Sequence, residues 1–302
     1  MSDRTQSTPR RGKPLAQEQR SPAVRRTLLI VLGLNAVVAA IKVLVGIDTG
    51  SLTVLGAALE SGLDMMNNAV GMMLVTVAGR APDEEHPYGH DKFETLGALG
   101  IVGFLSISCF ELLREGIGSL ISHSAPRDVS RVDLAVLVAT LLVNIVVVAY
   151  ERRRGRELGS SFLLADAAHT RSDIFVTLLA LASLGLAHIG LGRLDAVLAI
   201  LVGLMIARSG FAILRESIPV LVDERAIDAR ELRDVVLAVP RINDVRAVRS
   251  RSTASGQLFA EVTISVSANT SVADAHELAD AVEASIAEKF GTSEVTVHIE
   301  PG

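Results

Sequence analysis

One cysteine in 302 residues, no tryptophan and a charged fraction of only 21% set the first limits on this sequence. With Cys109 alone, the chain has no disulfide framework and no set of thiolates to hold a metal. Soluble domains carry roughly 25% charge, whereas here 49% of residues are hydrophobic and the mean hydropathy is +0.42. Such a chain is too apolar for an ordinary soluble protein, and most of it is too apolar for disorder. The net charge of −5 gives no overall basic field, which argues against nucleic acid as a partner. No G-x-x-x-x-G-K-[ST] segment occurs to bind ATP, and no H-E-x-x-H occurs to seat a hydrolytic zinc.

What the sequence does have is a series of apolar runs of spanning length. Residues 1–26 hold seven Lys/Arg and three Pro with no apolar run. They read as a basic, flexible tail, and not as a signal peptide, whose short apolar core would follow a brief basic start. The first run, 27–47, is 21 residues long with Lys42 as its one charge, and a bilayer needs about 20 helical residues. Five more follow, at roughly 52–79, 93–119, 132–150, 162–188 and 194–214. Glu60, Asp64, Asn67 and Asn68 interrupt the second, and Asp166, His169, Arg171 and Asp173 interrupt the fifth. Neither of these two can face lipid all round. The expected membrane domain is six spans over 27–219.

Beyond Pro219 the composition changes. Residues 222–302 carry 22 charged side chains, 14 acidic and 8 basic, and no run of spanning length. Pattern predicts a helix over 228–239, strands over 244–252 and 257–267, a helix over 272–290 and a strand over 294–300. LFAEVTISV alternates with period two, as a half-covered strand does. The fold class expected is an α-helical polytopic membrane protein of six transmembrane helices with a C-terminal α+β domain at 220–302. Short-loop Lys/Arg sets the orientation: Arg80, Lys92 and the ERRRGR segment (151–156) fall with the basic tail, against Arg127, Arg131 and Arg193 on the other side. Both termini are therefore expected in the cytoplasm. The membrane expected is the plasma (inner) membrane, which loop charge does not identify.

Ionisable groups at bilayer depth cost at least about 2.5–3.5 kcal/mol each, so they persist where they face a cavity or one another. Glu60 and Asp64 are spaced i,i+4 on one helix face, and His169 and Asp173 repeat that spacing on the fifth span. If the two faces oppose, three carboxylates and one imidazole converge, which is a ligand set for a divalent first-row ion. The carboxylates would repel one another without a cation, so metal and protons compete for the site. Interhelical hydrogen bonds or ion pairs are the plainer use of such residues, and two matched pairs on different spans favour metal over that use. In the loop PDEEHPYGHDKFE (82–94), His86 and His90 bracket a Pro-Tyr-Gly turn with Asp83 upstream, a second possible metal cluster or a solvated polar turn.

These residues resemble the cation diffusion facilitator family. The resemblance is carried by SLTVLGAALESGLD (51–64), HPYGHDKFETLGAL (86–99), ADAAHTRSD (165–173), LDAVLAILVG (194–203) and VTVHIEP (295–301). It implies a homodimeric six-span transporter that exports divalent metal from the cytoplasm in exchange for protons, with a metallochaperone-like cytoplasmic domain. By resemblance the transport site falls on Glu60, Asp64, His169 and Asp173, and a loop site on Asp83, His86 and His90. Cytoplasmic ligands fall on His276, His298 and Glu300, and an interlock between the two parts on Lys92 and Asp223. Zinc is the first cargo expected. Glu60 stands where zinc-type members carry His or Asp, which leaves iron, cobalt, manganese and cadmium open. Arg246 and Thr263 stand at two further cytoplasmic ligand positions. No organic cofactor and no enzyme activity are expected; the competing readings are a membrane-embedded metallohydrolase and a passive divalent cation channel.

Overall fold

The computed structural model describes residues 17–50, 52–121, 130–188, 193–291 and 293–302. Six long helices come first: α1 (Gln17–Thr49), α2 (Leu52–Ala78), α3 (Lys92–Ile121), α4 (Arg131–Leu158), α5 (Ser161–His188) and α6 (Arg193–Leu221). The shortest, α2, has 27 residues and so runs about 40 Å, more than the hydrocarbon thickness of about 30 Å. By length and composition α1, α3, α4 and α6 are apolar enough to cross a membrane. Helices α2 and α5 match them in length but carry the interrupting acids, amides and histidine. Large apolar side chains such as Leu44, Ile47, Leu59 and Phe110 stand exposed on the bundle, the surface a lipid-embedded protein requires.

The helices associate as partners, α1 with α2, α3 with α6 and α4 with α5. Among the described residues α2 and α5 share little backbone contact of their own. Close approach is set by glycine. A Cβ on Gly71 of α2 would fall 1.8 Å from the ring of Phe162 on α5, and one on Gly97 of α3 would fall 2.9 Å from it. Phe162 is fully buried between these two bare backbones, in a core that also holds Leu28, Ile101, Leu105 and Leu163. By contrast Gly33, Gly56, Gly62, Gly100 and Gly103 meet nothing within 4 Å.

A flexible tail through residue 26 is corrected from residue 17 onward, since α1 begins at Gln17. The cause is Arg20, which is 7% exposed. Its Nε donates to the Leu158 carbonyl at 2.8 Å, and its guanidinium donates to Glu94 Oε2 and to the Gly159 carbonyl, both at 2.9 Å. Glu94 in turn accepts from the Ser160 hydroxyl. A buried ion pair survives where hydrogen bonds satisfy both partners, and here they tie the start of α1 to α3 and to the α4–α5 turn. Gly159 makes that turn at φ 60, with its N–H donating to the Gly155 carbonyl. The first sixteen residues and Arg127 lie outside the described residues.

The C-terminal unit follows the expected order closely: α7 (Ala229–Leu237), β1 (Asp244–Ser252), β2 (Leu258–Val266), α8 (Val272–Phe290) and β3 (Ser293–Pro301). The strand order is β1-β2-β3, with β1 and β2 antiparallel and β2 and β3 parallel through α8. Leu232 and Val236 of α7 and Leu278, Val282 and Ile286 of α8 cover one sheet face, against Val245, Ala260, Val262 and Ile264. Asp228 and Ser271 cap the two helices by accepting from backbone N–H groups of their first turns.

Candidate metal centre

Three of the four intramembrane residues singled out by spacing come together. His169 Nε2 on α5 lies 3.4 Å from Asp64 Oδ1 on α2 and 4.0 Å from Asp173 Oδ2 one turn along α5. One ligand atom from each of Asp64, His169 and Asp173 lies within 4.8 Å of the others, a span that one ion bridging three ligands can close. His169 is 9% exposed, and its Nδ1 has no hydrogen-bond partner among the described residues. The ring of Phe104 on α3 flanks the imidazole, with 6.4 Å between centroids.

Glu60 does not join the three. It lies exposed on α2, one turn from Asp64, and is within electrostatic reach of both Asp64 and Lys42. Like charges at i,i+4 repel, and the longer glutamate arm can turn away from its neighbour. Beside the cluster, Asn67 Nδ2 donates to Asp166 Oδ1 at 3.4 Å, and Asp166 faces Glu151 of α4, with both acids buried. Helical spacing gave no signal for Glu151, which lies at the edge of an apolar run.

A second trio, Asp83, His86 and His90, also meets within 4.8 Å. The turn does the work locally. Gly89, at φ 85, donates its N–H to the His86 carbonyl at 2.9 Å, folding His90 back so that the two imidazole centroids lie 4.3 Å apart. Asp83 Oδ1 accepts the His86 backbone N–H at 2.7 Å and sits 3.1 Å from His86 Nδ1, while Asp83 Oδ2 sits 3.3 Å from His90 Nε2. The backbone N–H of His86, followed by its side chain, holds the Asp83 carboxyl below the usual aspartate range. Nδ1 of the buried His90 has no hydrogen-bond partner among the described residues.

The two residues expected to interlock the two parts lie in contact. Lys92 Nζ donates to both Asp223 oxygens, at 3.0 and 3.1 Å. Their surroundings carry no signal in spacing or composition: Arg251 reaches Asp223 at 3.5 Å while its guanidinium covers the rings of Tyr88 and Phe259, and Ser255 donates to Asp91 at 2.8 Å. In the soluble unit, His276, His298 and Glu300 do not form a cluster among the described residues. His276 lies 3.9 Å from Asp280 and His298 lies 3.6 Å from Glu300, while the Arg246 guanidinium occupies Glu300 as an ion-pair partner. Thr263 sits directly opposite His298 across β2 and β3.

Long apolar helices with half-buried aspartates and a buried imidazole between α2 and α5, joined to a small α+β unit, fit a membrane transporter of metal cations. Residues 28–222 match the cation efflux transmembrane domain and residues 225–302 the cytoplasmic domain of cation efflux proteins, so the chain belongs to the cation efflux family. It is similar to the cation-efflux pump FieF of Salmonella paratyphi A and of Salmonella agona, at 29% identity over 280 residues, covering 92% of this chain and 93% of each relative. The same protein of Salmonella newport is equally similar. Membership makes the protein an integral membrane transporter for divalent metal efflux with a dimerising cytoplasmic domain, and removes the metallohydrolase reading.

Proposed function

We propose that the chain, as a homodimer, exports zinc from the cytoplasm in exchange for protons by alternating access, with both termini cytoplasmic in a plasma (inner) membrane. The observation that carries this reading is the convergence of Asp64, His169 and Asp173 between α2 and α5. Two hard carboxylate ligands and one imidazole suit zinc and its first-row neighbours. A protonated imidazole cannot ligate, so a proton arriving at His169 and a metal ion leaving it are linked events. Glu60, one turn away, completes the set when its arm swings inward. Asp83, His86 and His90 form a second binding site at the cytoplasmic mouth, and Lys92 with Asp223 holds the mouth to the soluble unit. His276, His298 and Glu300 bind metal only if Glu300 leaves Arg246.

The test is zinc accumulation by inverted vesicles with an acidic lumen. We expect accumulation that collapses with the proton gradient and is lost in Asp64→Ala and Asp173→Ala. Accumulation indifferent to the gradient removes proton exchange and favours a passive channel. Parent-like transport by both variants removes the site.

A further inference from the structure

The one charge in the first apolar run is not a lysine of the membrane border. Lys42 stands seven residues before the end of α1 at Thr49, about 10 Å along the axis, and is 5% exposed. A border lysine stretches its stem to place the ammonium in water. Lys42 turns inward instead, donating to Ser61 Oγ at 2.8 Å and to the Ala57 carbonyl at 3.4 Å, both on α2. Ala57 and Ser61 flank Glu60, and Ser61 lies three positions before Asp64, so the ammonium docks on the stretch of α2 from which the acids project. One hydroxyl and one carbonyl are neutral partners and offset little of the cost of a buried charge. The compensation comes from the acids, since Glu60, Asp64 and Asp173 all lie within electrostatic reach of Lys42.

We propose that Lys42 is a positioning residue of the metal centre, a fixed positive charge held beside Glu60, Asp64 and Asp173 that weakens their grip on the cargo ion and so speeds its release. The inference rests on the reading that Asp64, His169 and Asp173 bind the cargo. Its sign follows from Coulomb's law: a neighbouring cation raises the potential at the centre, and a divalent ion loses twice what a proton loses from that change. Removing the charge therefore favours bound metal over bound proton. Affinity rises and turnover falls together, a split that a purely structural tie between α1 and α2 does not produce.

The experiment follows cobalt(II) on the full-length protein, by the visible absorption of the ligated ion and by flux into inverted vesicles. Asp173→Ala marks the part of the binding that belongs to the intramembrane centre. Lys42→Met removes the charge, Lys42→Gln removes it while keeping donors for Ser61 and Ala57, and Lys42→Arg keeps it. We expect the two neutral variants to bind cobalt about tenfold more tightly at the centre, with KM and maximal flux both lowered about tenfold. Lys42→Arg should stay within about threefold of the parent. Should the methionine disrupt folding, the glutamine variant decides alone. Neutral variants that bind as the parent does, or more weakly, overturn the role of Lys42 and leave the centre standing. Cobalt binding indifferent to Asp173→Ala overturns the centre and the inference with it.

Discussion

Asp64, His169 and Asp173 meet across helices far apart in sequence, whereas Asp83, His86 and His90 are assembled within one loop. The inner trio is held by the bundle: Phe162 seated on Gly71 and Gly97, and Arg20 tying α1 to α3 and the α4–α5 turn. The outer trio is held by a turn, with Gly89 at positive φ and Asp83 braced on a backbone N–H. Similar side chains are thus held in place by two unrelated means. Damage to helix packing should disable the inner trio and spare the outer, and damage to the turn should do the reverse.

The largest expected effect is on flux. Asp173→Ala should lower metal transport by about a hundredfold or more, whereas His90→Ala should cost about tenfold or less; equal losses in vesicle assays would erase the distinction between the trios. Next comes Gly71→Ala, whose new Cβ meets the Phe162 ring at 1.8 Å. It should destabilise the bundle by about 1–3 kcal/mol, read as a lower melting temperature in detergent, with metal binding lost at the inner trio first. Gly89→Ala, at φ 85, should strain the turn by about 1–2 kcal/mol and weaken metal binding by the loop while sparing flux through the inner trio.

A smaller effect concerns pH. The folded carboxyl of Asp83 lies below its unfolded value, so its brace on His86 is present at and above the ordinary aspartate pKa of about 3.9 and fades as pH falls through the lower folded value. The protection factor of the His86 amide should fall only in that acid window; protection already lost well above it would show that the Asp83 carboxylate is not the brace. The smallest effect is expected at Asp223→Asn. An exposed ion pair with Lys92 is worth about 0–1 kcal/mol, and the melting temperature should barely move.

Much of this was legible beforehand. Charges that an apolar helix should exclude pointed to Asp64, His169 and Asp173, because i,i+4 spacing is a property of one helix and needs no knowledge of its neighbours. Strand alternation in LFAEVTISV and the apolar face of α8 gave the soluble unit nearly to the residue. Spacing could not show that Glu60 stands apart from the trio, since two residues on one face can still part at their side-chain torsions. It also could not show the Arg246–Glu300 pair, which depends on how β1 and β3 lie either side of β2. Composition misjudged residues 17–26, where basic side chains and Pro22 suggested a loose tail. Arg20 is charged yet buried, and its partners Leu158 and Glu94 are far away in the chain.

The sparse contact between α2 and α5 bears on what a loaded protein is. Helices that pack tightly are glued by their own side chains, and nothing carried between them alters the joint. Here α2 packs mainly on α1 and α5 on α4, and what joins α2 to α5 directly is the Phe162 ring on the bare Gly71 backbone and the Asn67–Asp166 bond. An ion held by Asp64, His169 and Asp173 would add a further rivet to that joint. The stiffness of the molecule would then report whether the trio is occupied.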